Sequence, residues 1–114
     1  MILEPKLLSI NSASCTGTGD KLTYTVPAGI HAEVTGFGAD ETAGAGEVTL
    51  QLTPSGGSAI NITASTAADT GTIDIKIGGR IALGPGDKIA WSCTVAEGSA
   101  VWHLWISLLI YVAA

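Results

Sequence analysis

Basic residues are scarce in this 114-residue chain: only Lys6, Lys21, Lys76, Arg80 and Lys88 set against ten acids, for a formal net charge of −5. They are scattered, so no stripe of them could neutralise a run of phosphates, which argues against direct nucleic-acid binding. An anionic membrane surface is disfavoured for the same reason, because it requires a basic cluster beside an apolar face. Histidine is limited to His31 and His103 and cysteine to Cys15 and Cys93. Neither number nor spacing forms a zinc pattern. No GxSxG, no cysteine–histidine signature and no GxxxxGK[ST] phosphate loop occurs. Asp40, Glu41 and Glu47 flank a Gly-Ala stretch without the alternating ligands of a calcium loop, so they read as solvated acids. No catalytic residue, metal site or cofactor is expected.

Long hydrophobic runs are also missing, with one exception at the end of the chain, AVWHLWISLLIYVAA, residues 100–114. As a helix it would rise about 22 Å, short of a hydrocarbon core of about 30 Å. It contains His103 and Ser107 and has no flanking Lys or Arg to orient an anchor. At the other end, MILEPKLLSINSAS places an acid and a proline where a signal peptide needs an unbroken apolar core, so no secretion signal is read and assembly in the cytoplasm is expected. Asn61-Ile62-Thr63 matches a glycosylation acceptor, which without secretion is read as chance.

What is abundant is glycine, 15 residues of it, among Thr, Ser, Ala, Ile and Val, a composition suited to pleated strands and tight turns. The length allows one domain. Along the chain, apolar and polar residues alternate in LTYTV, IHAEVTGF, EVTLQLTP, SAINITAS, TIDIKI, RIAL, KIAWSCTV and the closing segment. Turn residues separate them at nearly regular spacing. Ile30, Ala32 and Val34 are predicted to face the core, as are Val48, Leu50 and Leu52, Ile60 and Ile62, and Ile73, Ile75 and Ile77. ADETAGAG, residues 39–46, reads as a flexible connection. Cys93 shares a strand face with Ile89, Trp91 and Val95 and reads as a small buried hydrophobe, with no disulfide scaffold implied. TVPAG and LGPGD each precede a strand and read as corners at which the chain passes between sheets. The prediction is an all-β, antiparallel β-sandwich, jelly-roll-like, of eight to nine short strands, with residues 1–12 as an N-terminal arm or edge strand and 13–114 as a single domain.

The final strand carries the functional signal. Trp102, Leu104, Ile106, Leu108, Ile110 and Val112 share one face and form core. Val101, His103, Trp105, Ser107, Leu109 and Tyr111 share the other, which is too apolar for open water. A second copy of the chain is the expected cover. Trp105 and Tyr111 are candidate anchors, with Val101, His103 and Leu109 around them. In the arm, Ile2, Leu3, Leu7, Leu8 and Ile10 lack a clean two-residue alternation, as expected if partners on different sides share them.

At TYTVPAGIHAEVTGF, then EVTLQL, then RIALGPGDKIAW and the last apolar strand, the chain resembles small β-sandwich virion proteins of tailed bacteriophages, over about residues 22–112. The resemblance implies a structural, non-catalytic role: a capsid decoration or cement protein, typically a homotrimer, bridging major capsid proteins on the virion surface. A tail, neck or fibre module of the virion is the alternative within that group. A carbohydrate-binding module is the alternative outside it, although the predicted loops offer no aromatic residue.

Overall fold

The computed structural model describes residues 2–44, 46–62, 72–75 and 81–112. The strands are β1 (Ile2–Ser14), β2 (Gly19–Thr25), β3 (His31–Ala43), β4 (Glu47–Thr53), β5 (Ile60–Asn61), β6 (Thr72–Ile75), β7 (Ile81–Leu83), β8 (Lys88–Val95) and β9 (Val101–Val112). Among the described residues every pairing is antiparallel, and the pairs are nested: β1 with β9, β2 with β8, β3 with β6 and β7, and β4 with β5. The chain is thus one long hairpin, with its tip at Pro54–Ser58, folded over on itself. Alternate pairs fall into opposite sheets, giving a five-stranded sheet in the order β1-β9-β3-β6, with β7 also on β3, and a four-stranded sheet in the order β2-β8-β4-β5. Two Greek keys wrapped in this way make a jelly roll. The closing segment is therefore a strand, and no helix among the described residues is long and apolar enough to cross a membrane.

Two strands of the first sheet are longer than the turn spacing suggests, β1 and β3 with 13 residues each, whereas β9 has the 12 that the alternation of the closing segment predicts. ADETA, expected as connection, continues β3, because Ala39, Asp40 and Glu41 pair with Leu104, His103 and Trp102 on the long strand β9. A bulge inserts Thr35 between the pairs Val34↔Leu108 and Gly36↔Ser107. One extra residue reverses which side chains face inward. Ala32 and Val34 are buried before the bulge, and Phe37, Ala39 and Glu41 after it. Glu41 is consequently not a solvated acid. It is 4% exposed, on the core side of β3 opposite Trp102.

The core lies between the sheets. Trp91 on β8 and Trp102 on β9 are fully buried with Phe37, Leu50, Ile89, Leu104, Ile106 and Leu108. Phe37 meets Trp91 edge to face at 6.0 Å. Trp91 Nε1 donates across the sandwich to the main-chain carbonyl of Trp105 at 3.0 Å, so the largest core side chain also fixes the two sheets against each other. Val48 and Leu50 point inward as predicted and Leu52 is partly buried, whereas Ile60, on a strand of only two residues, is 53% exposed. Val95, at the end of β8, is exposed too. The core positions predicted for Ile73, Ile75 and Ile77 and the turn at Gly78-Gly79 lie outside the described side chains.

The two predicted corners meet. Val26 N donates to Asp87 O and Gly86 N donates to Val26 O, each at 2.9 Å, so TVPAG and LGPGD are joined where β2 ends and β8 begins. Asp87 braces this corner: its carboxylate accepts from Gly84 N and from Ser55 N, both at 2.9 Å.

Cys15 and Cys93 form a disulfide with their Cα atoms 5.6 Å apart, which corrects the reading of Cys93 as a free buried thiol. The connection from β1 to β2 crosses from one sheet to the other and passes beside β8. It is held there by Cys15 N donating to Ala100 O and Glu97 N donating to Cys15 O, both at 2.9 Å. One end of the sandwich is thereby tied together, with the crossover, β8 and the loop 96–100 all attached to Cys15.

Candidate functional site

The outward face of the five-stranded sheet is assembled from residues directly opposite one another across its ladders, since such residues share a face. Leu3 on β1 lies opposite Tyr111 on β9, which lies opposite His31 on β3. In the next row Pro5 lies opposite Leu109 and Leu109 opposite Glu33, with Ala82 of β7 beyond. Leu7 lies opposite Ser107, and Ser9 opposite Trp105. The two groups of candidate residues read separately from the sequence, Leu3 and Leu7 in the arm and Leu109 and Tyr111 in the last strand, are brought together into one apolar strip.

Within that strip exposure is uneven. Leu7 is 68% exposed and Leu3 53%, whereas Val101, His103, Trp105, Leu109 and Tyr111 are half-buried. Trp105 owes its burial to its own chain. Its indole lies across β3 where Gly36 and Gly38 leave a trough: a Cβ on Gly36 would sit 3.4 Å from the ring, and one on Gly38 would overlap Nε1 and Cε2. The ring is seated, not projecting, and the most exposed apolar groups are the leucines of β1.

The segment 2–14 is an edge strand laid along β9. Leu8 and Ile10 point to the opposite side from Leu3 and Leu7 and pack partly buried against the core. Ile2 is placed by its backbone alone, opposite Val112.

Beside the strip is a hollow of about 400 Å³, lined by Gly29, His31, Glu33, Ala82, Leu83 and Tyr111 among others. Its lining is largely apolar, with His31, Glu33 and Tyr111 as its polar-bearing residues. The structural signal for it was absent from the sequence, because it depends on β7 pairing with the first residues of β3.

The two histidines do not converge. His31 is opposite Tyr111, and His103 is eight residues away along β9, a separation of about 27 Å at strand rise. Among the described residues no group of three or more His, Cys, Asp or Glu is arranged to hold a metal ion. The titration perturbations lie elsewhere: the Tyr24 hydroxyl is raised by burial. Asp87 is lowered by the Gly84 N–H first and the Ser55 N–H second. The outward face of the five-stranded sheet thus carries exposed leucines at Leu3 and Leu7 and a hollow beside Tyr111. No family model, no curated protein and no solved structure matches this chain.

Proposed function

We propose that this chain is a non-catalytic structural protein of a phage virion, a capsid decoration or cement protein that forms a homotrimer and clamps the major capsid protein lattice. The observation that carries the reading is the outward apolar face of the long-stranded sheet, on which Leu3 and Leu7 are exposed side by side along β1 next to Leu109 and Tyr111 of β9. A face of this kind marks an interaction surface. The disulfide fits the same reading: such bonds persist on particle surfaces and outside cells, where a decoration protein works after its particle is assembled in the host cytoplasm and released. Stabilisation follows from linkage, because a protein that binds the intact shell and not its dissociated subunits shifts the equilibrium toward the shell.

The test is sedimentation of the purified chain with undecorated capsids of the particle that encodes it, followed by thermal disruption. Cosedimentation in hundreds of copies per particle with a raised disruption temperature is expected. A copy number of a few per particle would instead assign it to the tail, neck or fibre. The carbohydrate-binding alternative rests on the hollow, where a tyrosine ring stands near a carboxylate and an imidazole. Binding to a glycan array that Tyr111→Ala abolishes would favour it over the capsid reading.

A further inference from the structure

The main chain that positions Cys15 and Cys93 is complete without the bond between their sulfurs. Cys93 on β8 lies opposite Gly19 on β2 and Val48 on β4, so ladders on both sides fix its backbone. Cys15 is fixed by its own N–H donating to Ala100 O and by the Glu97 N–H donating to its carbonyl, both at 2.9 Å. Beside the sulfurs the β4–β8 ladder carries an inserted residue, Thr94, because Glu47 lies opposite Val95 and Val48 opposite Cys93. At that bulge Val95 O lies 3.4 Å from Cys15 Sγ and 3.6 Å from Cys93 Sγ, and Glu47 O lies 3.7 Å from Cys15 Sγ. A disulfide has no proton to give these carbonyls. In the reduced chain each S–H, a weak donor, has an acceptor within reach, so opening the bond orphans neither thiol and removes no main-chain contact.

We propose that Cys15–Cys93 is a redox lock with two folded states: the sandwich forms as a dithiol, and the bond closes afterwards in the folded chain by exchange with a low-molecular-weight disulfide. One cysteine thiolate attacks a sulfur of the small disulfide and releases one small thiol. The other cysteine then attacks the mixed disulfide and releases the second. Two electrons pass from the cysteines to the small disulfide, and the two cysteine protons end on the released thiols. Both cysteines are 1% exposed, so exchange waits on a local opening. Gly46 closes one side, where a Cβ would meet Val95 O at 2.9 Å, Ala100 Cβ at 3.1 Å and Cys15 Sγ at 3.3 Å. The other side is the loop 96–100, attached to Cys15 through the Glu97 N–H and Ala100 O, with Ala96, Gly98 and Ser99 exposed. That loop is the gate. Such a chain can fold where thiols stay reduced and be locked where they do not, whatever its partner on a particle.

The experiment uses the full chain, reduced with a dithiol, freed of reductant without oxygen and kept on ice. The near-ultraviolet circular dichroism of its tryptophans should match that of the oxidised protein. Iodoacetamide should label the folded dithiol chain roughly 100-fold or more slowly than the same chain in denaturant. In mixtures of reduced and oxidised glutathione the bond should be favoured in buffer over denaturant by about 30- to 5,000-fold, the reciprocal of its effect on folding. Glu97→Pro, which removes the donor to Cys15 O, should speed labelling on the order of 5-fold or more. A dithiol chain that is unfolded on ice overturns the inference, because bond and fold are then one event. Equal closure constants in buffer and denaturant overturn it too, as does labelling of the folded chain at the denatured rate. A folded Glu97→Pro chain that labels no faster than wild type overturns the gate assigned to the loop.

Discussion

Removing the disulfide should lower stability by an amount set by the length of chain it closes. Cys15 and Cys93 are 78 residues apart, and cross-linking a loop of that length restricts the unfolded chain by about 4.5 kcal/mol at 25 °C on the chain-entropy account. Measured losses for native disulfides run from about 2 to 5 kcal/mol, so that figure is near the upper end. For 114 residues the unfolding entropy is about 0.24 kcal/mol per kelvin, and the expected fall in melting temperature is about 8–20 °C. The assay is thermal unfolding of the wild type and of Cys15→Ala/Cys93→Ala, each with and without a strong reductant. Reductant should lower the wild type toward the double variant and leave the double variant unchanged. Both sulfurs are buried, so thiol counts must be taken in denaturant: none in the oxidised wild type, two after reduction. A fully reduced wild type that melts within about 3 °C of the oxidised protein would refute the argument, since even the lower bound corresponds to about 8 °C.

The other expectations concern the trough, the core and the corner. Gly38→Ala puts a methyl group into the Trp105 indole and should cost about 1–3 kcal/mol with a change in tryptophan emission; Gly36→Ala, meeting the ring at ordinary contact distance, should cost under about 1 kcal/mol, and chemical denaturation separates the two. Trp91→Phe removes both ring volume and the donor to the Trp105 carbonyl, so a loss of about 2–3 kcal/mol is expected in the same assay. Asp87 has its carboxyl pKa lowered by the Gly84 and Ser55 N–H groups, so the stability it contributes is present above its ordinary value of 3.8 and lost as pH falls through the lowered one. Asp87→Asn should therefore be less stable than wild type at neutral pH, with the gap narrowing as acid melts are taken below pH 4; a gap that does not change with pH would show that the carboxylate's charge is irrelevant to the corner.

Much of this fold was legible from parity alone. The alternation in β9 held along its length, with Trp102 to Ile110 buried and Val101 to Tyr111 half-buried, because the strand lies between β1 and β3 and no bulge on β9 itself reverses its faces. The first half of β3 was equally plain. Its second half was not, because the register shift at Thr35 reverses the faces and leaves no mark in composition, so Glu41 was taken for a surface acid. The apparent disorder of Leu3, Leu7, Leu8 and Ile10 has a similar origin. It reflects two faces each needing apolar groups: Leu8 and Ile10 serve the core, and Leu3 and Leu7 are outward. The disulfide was out of reach for a different reason. A pair 78 residues apart is made by a crossover between sheets, and nothing local to Cys15 or Cys93 announces it. The glycines at 36 and 38 were the one local clue to the site that could have been used, since two small residues on one strand face invite a ring from the next strand.

The same strand also bears on how copies would meet in the proposed oligomer. β1 is the free edge of its sheet, and a 13-residue edge would ordinarily invite strand addition by another chain. Pro5 removes a backbone donor from that edge, Lys6 beside it adds an exposed charge, and the irregularity between Ile10 and Ala13 breaks the ladder. These are the features by which sheets block edge pairing. With the edge blunted and the outward leucines exposed, the proposed self-association would run through side chains on the face. The discriminating substitution is Pro5→Val, which restores the missing donor. If copies meet through the face, the variant should keep the wild-type oligomer and acquire a tendency to form larger, thioflavin-positive aggregates by edge pairing. If the native contact already ran along the edge, Pro5→Val would instead tighten the native oligomer without aggregation, and the face would lose its claim.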